Sequence, residues 1–205
     1  MKGKFIVFEG GDGAGKDTQI DLLKAELPTE QFVFTREAGG TPLGKELRRL
    51  LLSHEYPVSD LAEAFMFLAD RAQHMAELVR PSLEKGLHVI SNRSWVSLMA
   101  YQVYGGQQEH LLPLVNFAHE EIYQGQAPDA IIFLDVDPEV GLERSGKRGT
   151  LDRIEVASLD FHKRVQQGFY TALKKAKNVH QIDAMRPIED IKEEVRGIIE
   201  ETCQL

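Results

Sequence analysis

The sequence predicts an α/β protein in three layers, with a five-stranded parallel sheet flanked by helices. Two observations predict it. Short apolar runs rich in β-branched and aromatic residues alternate along the chain with stretches of helical periodicity. Such runs suit strands buried on both faces, joined by right-handed helical crossovers. A glycine-rich segment ending in lysine also lies directly between the first apolar run and the first helical stretch. The chain has 205 residues, 42% hydrophobic and 27% charged, enough to bury a substantial core.

The elements follow in order. Phe5-Ile6-Val7-Phe8 is the first strand, closed by Gly10-Gly11. A helix over 17–27 puts Ile20, Leu23 and Leu27 on one face. Phe32-Val33-Phe34 is the second strand, and 42–52 a helix carrying Leu43, Leu47, Leu50 and Leu51. The long helix over 60–80 carries Leu61, Ala64, Phe65, Leu68, Met75 and Leu78, with Phe65 a better core candidate than Phe67. Lys85-Gly86 stops the helical run before the third strand, His88-Val89-Ile90. A helix over 108–123 precedes Pro128-Asp129 and the fourth strand, Ile131-Ile132-Phe133-Leu134. Helices over 138–144 and 154–177, a weaker fifth strand at 179–182 and a helix over 187–202 complete the set. In an open parallel sheet ligands bind beyond the carboxyl ends of the strands. Functional residues are therefore expected directly after the strands.

Composition excludes several functions. Lys plus Arg number 24 against 32 Asp plus Glu, a net charge of −8. Such a chain is no bulk electrostatic binder of nucleic acid or of an anionic membrane, so any phosphate must be met by a local cluster. No apolar run approaches the ~18 residues of a membrane span. The single cysteine, Cys203, excludes an intrachain disulfide and a Cys-rich zinc site. The N-terminus shows no secretory pattern, and a cytoplasmic location is the expectation.

Gly10-Gly11-Asp12-Gly13-Ala14-Gly15-Lys16 fits the Walker A pattern G-x-x-x-x-G-K. Its glycines let the backbone wrap phosphate oxygens, and its amides and the following helix N-terminus face the anion. Lys16 adds a point charge on the β- and γ-phosphates. The next residue is normally Ser or Thr; here it is Asp17, with Thr18 after it. Asp17 reads either as a hard-oxygen Mg²⁺ ligand or as an acid favoured by the helix dipole. Residues Gly10 to Thr18 together form the expected ATP site.

Further segments carry a resemblance. Thr35-Arg36-Glu37-Ala38-Gly39-Gly40-Thr41 follows the second strand, and Phe67-Leu68-Ala69-Asp70-Arg71-Ala72-Gln73-His74 lies on the long helix. Asn92-Arg93, then Ser97-Leu98-Met99-Ala100-Tyr101-Gln102, follow the third strand, and Leu151-Asp152-Arg153-Ile154-Glu155 comes late. With the Walker A loop, these resemble bacterial thymidylate kinases from about Phe5 to Tyr170. The resemblance implies one P-loop kinase domain that transfers a phosphoryl group from ATP to dTMP, with Mg²⁺, as a homodimer. Arg36 and Arg93 would bind the acceptor phosphate through planar guanidinium forks. Phe67 would stack on thymine, a contact worth about 1–3 kcal/mol. Arg71 would donate to the base, with Gln102 and Ser97 nearby. Tyr101 would pack under the deoxyribose and help exclude a 2′-hydroxyl. Glu9 and Asp12 would lie near the acceptor and the metal, with Asp12 and Asp17 as candidate metal ligands. Residues 144–153 resemble the family's flexible LID, with Arg144, Arg148 and Arg153 joining Lys16 and Arg93 as catalytic cations.

The sequence departs from that pattern at five places. Strand three ends in Asn92-Arg93 where Asp-Arg is usual, while Asp17 adds a carboxylate in the loop. This reads as relocation of one metal-side charge. Gly13 stands where some relatives carry arginine, and Ala38 replaces the usual proline. Leu98 replaces a small polar residue near the base, which leaves another pyrimidine monophosphate open as acceptor. A nucleotide-binding module with weakened catalysis is the alternative of a different class. Small-molecule nucleotides are the expected partners, with no nucleic acid and no membrane.

Overall fold

The computed structural model describes residues 2–147 and 152–205. Five strands, β1 (Phe5–Glu9), β2 (Phe32–Arg36), β3 (His88–Asn92), β4 (Ala130–Asp135) and β5 (Val179–Asp183), form one parallel sheet in the order β2-β3-β1-β4-β5. Helices α1 (Lys16–Glu26), α2 (Pro42–Leu52), α3 (Asp60–His74), α4 (Arg80–Glu84), α5 (Trp95–Leu98), α6 (Leu112–Tyr123), α7 (Pro138–Gly146), α8 (Leu159–Leu173) and α9 (Ile188–Cys203) connect and cover it. Every residue of β1 is buried, because the strand is central and covered on both faces. Side-chain alternation splits it between two cores. Phe5 and Val7 join residues of α3, α6 and α8, while Ile6 and Phe8 join residues of α1 and α9.

The register positions the site. Phe8 lies opposite Asn92, and Asn92 opposite Arg36, so three strands end along one line. The connection after β1 leaves the middle of that line, between β3 and β4, where the strand order reverses.

The structure revises several expectations. The helical run begun by α3 does not stop at 80. It widens into a π-turn at Met75–Val79 and continues through α4. Pro81, near the start of α4, has no N–H for the carbonyl of Glu77, and the wide turn absorbs that missing bond. The helix expected from 154 begins at Leu159, with the Ser158 hydroxyl accepting from the amide of Phe161 at 3.3 Å. Asp152 instead closes a single turn. Its Oδ1 accepts from the amides of Ile154 and Glu155, both at 2.9 Å, and its own amide donates to Glu155 Oε2 at 3.1 Å. This reciprocal capping box satisfies the first amides locally. Helix α5 and the π-helical segment Met99–Gly105 that follows were not expected as helix. Phe65 is no core residue: it is 50% exposed, with Leu61 and Leu43 exposed beside it in the apolar pattern.

Candidate active site

The β1–α1 connection is built by two left-handed glycines. Gly15, at φ 89°, caps α1. Gly13, at φ 72°, lies so close to α7 that a Cβ there would sit 2.0 Å from the Gly141 carbonyl oxygen. The contact explains why arginine is absent at this position: neither the dihedral nor the space admits a side chain. Residues Asp12 to Thr18 line a cavity of about 420 Å³. Gly10 and Gly11 stand behind the lining and contribute carbonyls. The Lys16 ammonium donates to Gly10 O at 2.9 Å and to Gly11 O at 2.7 Å. Burial and the neighbouring Arg93 push the Lys16 pKa down to about 7.

The expected acceptor-phosphate arginines converge on this cavity. Arg93 is held in the left-handed region, at φ 76°, an uncommon conformation that turns it back from the end of β3. Its Nη1 donates to Gly10 O at 3.1 Å and Ser97 Oγ at 3.0 Å, and its Nη2 to Asp12 Oδ1 at 2.8 Å and the Tyr101 hydroxyl at 3.2 Å. Tyr101 in turn donates to Asp12 Oδ2 at 2.8 Å. Burial opposes the charge on Asp12, but Arg93 and Lys16 outweigh it and hold the carboxyl below its usual range. Arg36 donates from Nη2 to Asp17 Oδ1 at 3.1 Å, and its Nε is buried without a partner. Asp17 Oδ1 also accepts from Asn92 Nδ2, at 2.9 Å.

Phe67, Arg71, Ser97, Tyr101 and Gln102 line the other end of the same cavity. Arg71 is 3% exposed, and its Nε donates to Glu37 Oε2 at 2.6 Å. The other oxygen of Glu37 lies 2.9 Å from His74 Nδ1. Gln102 donates from Nε2 to Glu63 Oε1 at 2.9 Å. Thus the sequence-expected base residues and phosphate residues share one continuous space.

Three expectations need correction. Glu9 does not line the cavity. It is fully buried beneath it, where Ser94 Oγ donates to Oε1 at 2.6 Å and Ser97 Oγ to Oε2 at 2.5 Å. Burial raises its pKa despite these bonds. Arg153 is also outside the lining. Its Nε and Nη2 donate to the Leu51 carbonyl at 3.1 and 3.0 Å, and Nη2 pairs with Glu63, fastening its turn to α2 and α3. Asp12 fits a metal poorly, since Arg93 and Tyr101 take both of its oxygens. Arg144 does line the cavity, with Nη1 donating to Ala184 O at 2.9 Å. Arg148 lies outside the described residues.

Asp17 and Asn92 meet the requirements of Mg²⁺ better. No cluster of three or more acidic, His or Cys side chains exists among the described residues. Mg²⁺ needs none when phosphates and waters complete its shell. The Asp17 side chain is 56% exposed, and Asn92 Oδ1 is a buried oxygen without a partner beside it. These are hard oxygen donors next to the phosphate loop.

Several residues were missed. Arg48 lines the cavity from α2 and donates to Ala38 O at 3.2 Å. Glu37, in the segment after β2, pairs with Arg71 and His74. Glu63 lies one turn before Phe67, a spacing that gives a weak signal. His162, 3.9 Å from Asp12 Oδ2, offered none because α8 is remote in sequence.

The chain is similar to known proteins over nearly its whole length. The thymidylate kinase family model matches residues 8–195. A thymidylate kinase from Carboxydothermus hydrogenoformans is 42% identical over 202 residues, covering 98% of each chain. One from Francisella tularensis is 39% identical over 204 residues, covering 98% of this chain and 97% of that one. The crystal structure of thymidylate kinase from Ehrlichia chaffeensis superposes with a TM-score of 0.77 at 30% identity, covering 98% of this chain and 99% of that one.

Proposed function

The chain belongs to the thymidylate kinase family, and from that premise we propose how its cavity transfers the γ-phosphoryl of ATP to dTMP, giving ADP and dTDP. The observation that carries the reading is the convergence of Lys16, Arg36 and Arg93 with Phe67, Arg71 and Gln102 around one cavity. A phosphoryl donor and a nucleoside monophosphate fit its two ends.

The triphosphate lies on the loop amides and the α1 N-terminus, with Lys16 on its terminal phosphates. A phosphate there raises the Lys16 pKa back toward its ordinary value, so the charge is in place when nucleotide binds. Arg36 and Arg93 hold the dTMP phosphate in line with the γ-phosphoryl. The acceptor oxygen is already a phosphate oxygen, so no strong general base is needed and positioning dominates. Asp12 and Tyr101 fix the Arg93 guanidinium, and Phe67 stacks on the base. Arg144 supplies further charge from the end of α7. Asp17, with the Asn92 Oδ1 oxygen beside it, would hold Mg²⁺, whose charge would offset that of the phosphates. Relocation of one carboxylate from strand three to the loop preserves that role.

The reading includes a homodimer, which exposed apolar side chains support. Leu61 and Phe65 on α3 are 47% and 50% exposed, and Phe117 on the adjacent α6 is 63% exposed. Such side chains favour burial against a second copy. No helix among the described residues is long and apolar enough to cross a membrane; a cytoplasmic location remains part of the proposal.

The test is ADP formation with ATP and Mg²⁺, offering dTMP, dUMP, dCMP, dGMP and AMP separately. Strong preference for dTMP is expected. Tight ATP binding without turnover of any acceptor would overturn the reading.

A further inference from the structure

We propose that Glu63, which does not line the cavity, sets discrimination between pyrimidine bases by fixing the orientation of the Gln102 amide. The inference rests on the dTMP reading and concerns the base end of that site.

A carboxylate only accepts hydrogen bonds, whereas an amide has one donating and one accepting end. Glu63 Oε1 faces Gln102 at 2.9 Å, so the amide must turn its NH₂ toward α3. The end left for the cavity is the carbonyl oxygen, which has no hydrogen bond to another described residue. Gln102 is 7% exposed, so little water is available to reward a flip. Glu63 is itself held. Its second oxygen pairs with Arg153 Nη2, and Arg153 is anchored on the Leu51 carbonyl at 3.0–3.1 Å. The Glu63 side chain is only 14% exposed. One carboxylate therefore ties together the end of α2, the turn at Asp152 and the segment carrying Gln102. Glu63 lies four residues before Phe67, so the stacking ring and this anchor share a helix face.

The chemical consequence is directional. Thymine and uracil present an N3–H donor, which a fixed carbonyl oxygen accepts. Cytosine presents a lone pair at N3, which that oxygen repels. Arg71, a donor only, matches the O4 of thymine and uracil and opposes the 4-amino group of cytosine. A site built to hydrogen-bond one pattern rejects the other because its buried polar groups are left unpaired.

The test is kcat and KM for dTMP, dUMP and dCMP in wild type, E63Q, Q102L and the double variant, with thermal unfolding to check folding. Glutamine at 63 can donate as well as accept, so it frees the Gln102 amide to flip. The expected result for E63Q is a fall on the order of tenfold in the dTMP to dCMP preference, mainly through KM. The dTMP to dUMP preference should not move, since both bases carry N3–H, a pattern that general loosening would not give. Q102L should reproduce the fall, and the double variant should add nothing. A folded E63Q that keeps the dTMP to dCMP ratio, or additive losses in the double variant, would overturn the proposal. If E63Q fails to fold, Q102L alone decides: an unchanged ratio overturns it. A wild type with no preference for dTMP would sink the parent reading, a result distinct from these.

Discussion

The Asp17 carboxylate and the Asn92 amide meet at 2.9 Å, across the gap between the phosphate loop and the end of β3. One carboxylate and one amide share the place, and Arg36 closes the group at 3.1 Å. A second carboxylate there would face the first at contact distance, where like charges about 4 Å apart repel by about 4 kcal/mol at an effective dielectric of about 20. Asn92→Asp alone should therefore lower kcat/KM on the order of tenfold or more, as should Asp17→Thr alone. The double variant restores one carboxylate and should recover most of the loss. Additive losses in that cycle would remove the idea of a relocated charge. Titration of the ATP-bound enzyme with Mg²⁺ gives a second readout, since each single variant should shift its affinity.

Gly13 answers whether an arginine could be restored inside the loop. A Cβ at this position would lie 2.0 Å from Gly141 O, on a backbone at φ 72°. Gly13→Arg should weaken ATP binding and destabilise the fold by about 1–3 kcal/mol, rather than add a catalytic charge. Urea unfolding and equilibrium ATP binding check this. A stable variant with higher kcat would contradict it.

The Glu37 carboxylate is buried against Arg71 and His74. Burial disfavours its charge, but Arg71 and His74 hold its pKa below the ordinary value. Glu37→Gln leaves the Arg71 guanidinium buried without its counter-charge. The expected cost is about 3–5 kcal/mol, read from the denaturation midpoint. Base binding should weaken too, because Arg71 loses its anchor.

His119 packs on Trp95 and Tyr123, with ring centroids 4.8 and 4.5 Å away. Burial, then Arg71, pushes its pKa down to about 4. Between about 4 and 6.5 the unfolded chain binds the proton and the folded chain does not. This contribution to stability is therefore complete above about 6.5 and lost as pH falls toward 4. His119→Phe removes that linkage. Its stability relative to wild type should improve steadily as pH is lowered through this window. A difference independent of pH would show that His119 titrates normally.

What could be read in advance depended on sequence distance. The alternation of strands and helices placed all five strands within about two residues, most of them as short apolar runs and β5, with His180 and Gln181 inside it, on weaker grounds. The helix expected at 154 failed because Asp152 and Glu155 cap one turn between themselves, a local rule that outweighed the apolar period. Phe65 failed as a core residue because helical spacing marks an apolar face without saying what covers it.

The sequence by itself determined the phosphate loop, the strands that aim it and the family. A phosphate cradle is made from consecutive amides, glycines and one lysine, so its chemistry is written within a few residues. Only the tertiary structure decided that Glu9 accepts from Ser94 and Ser97, that Arg153 fastens to Glu63, and that the Gln102 amide donates to Glu63. Each of those contacts joins side chains 39 or more residues apart. Their partners are chosen by packing between separate elements, which residue spacing along the chain does not encode.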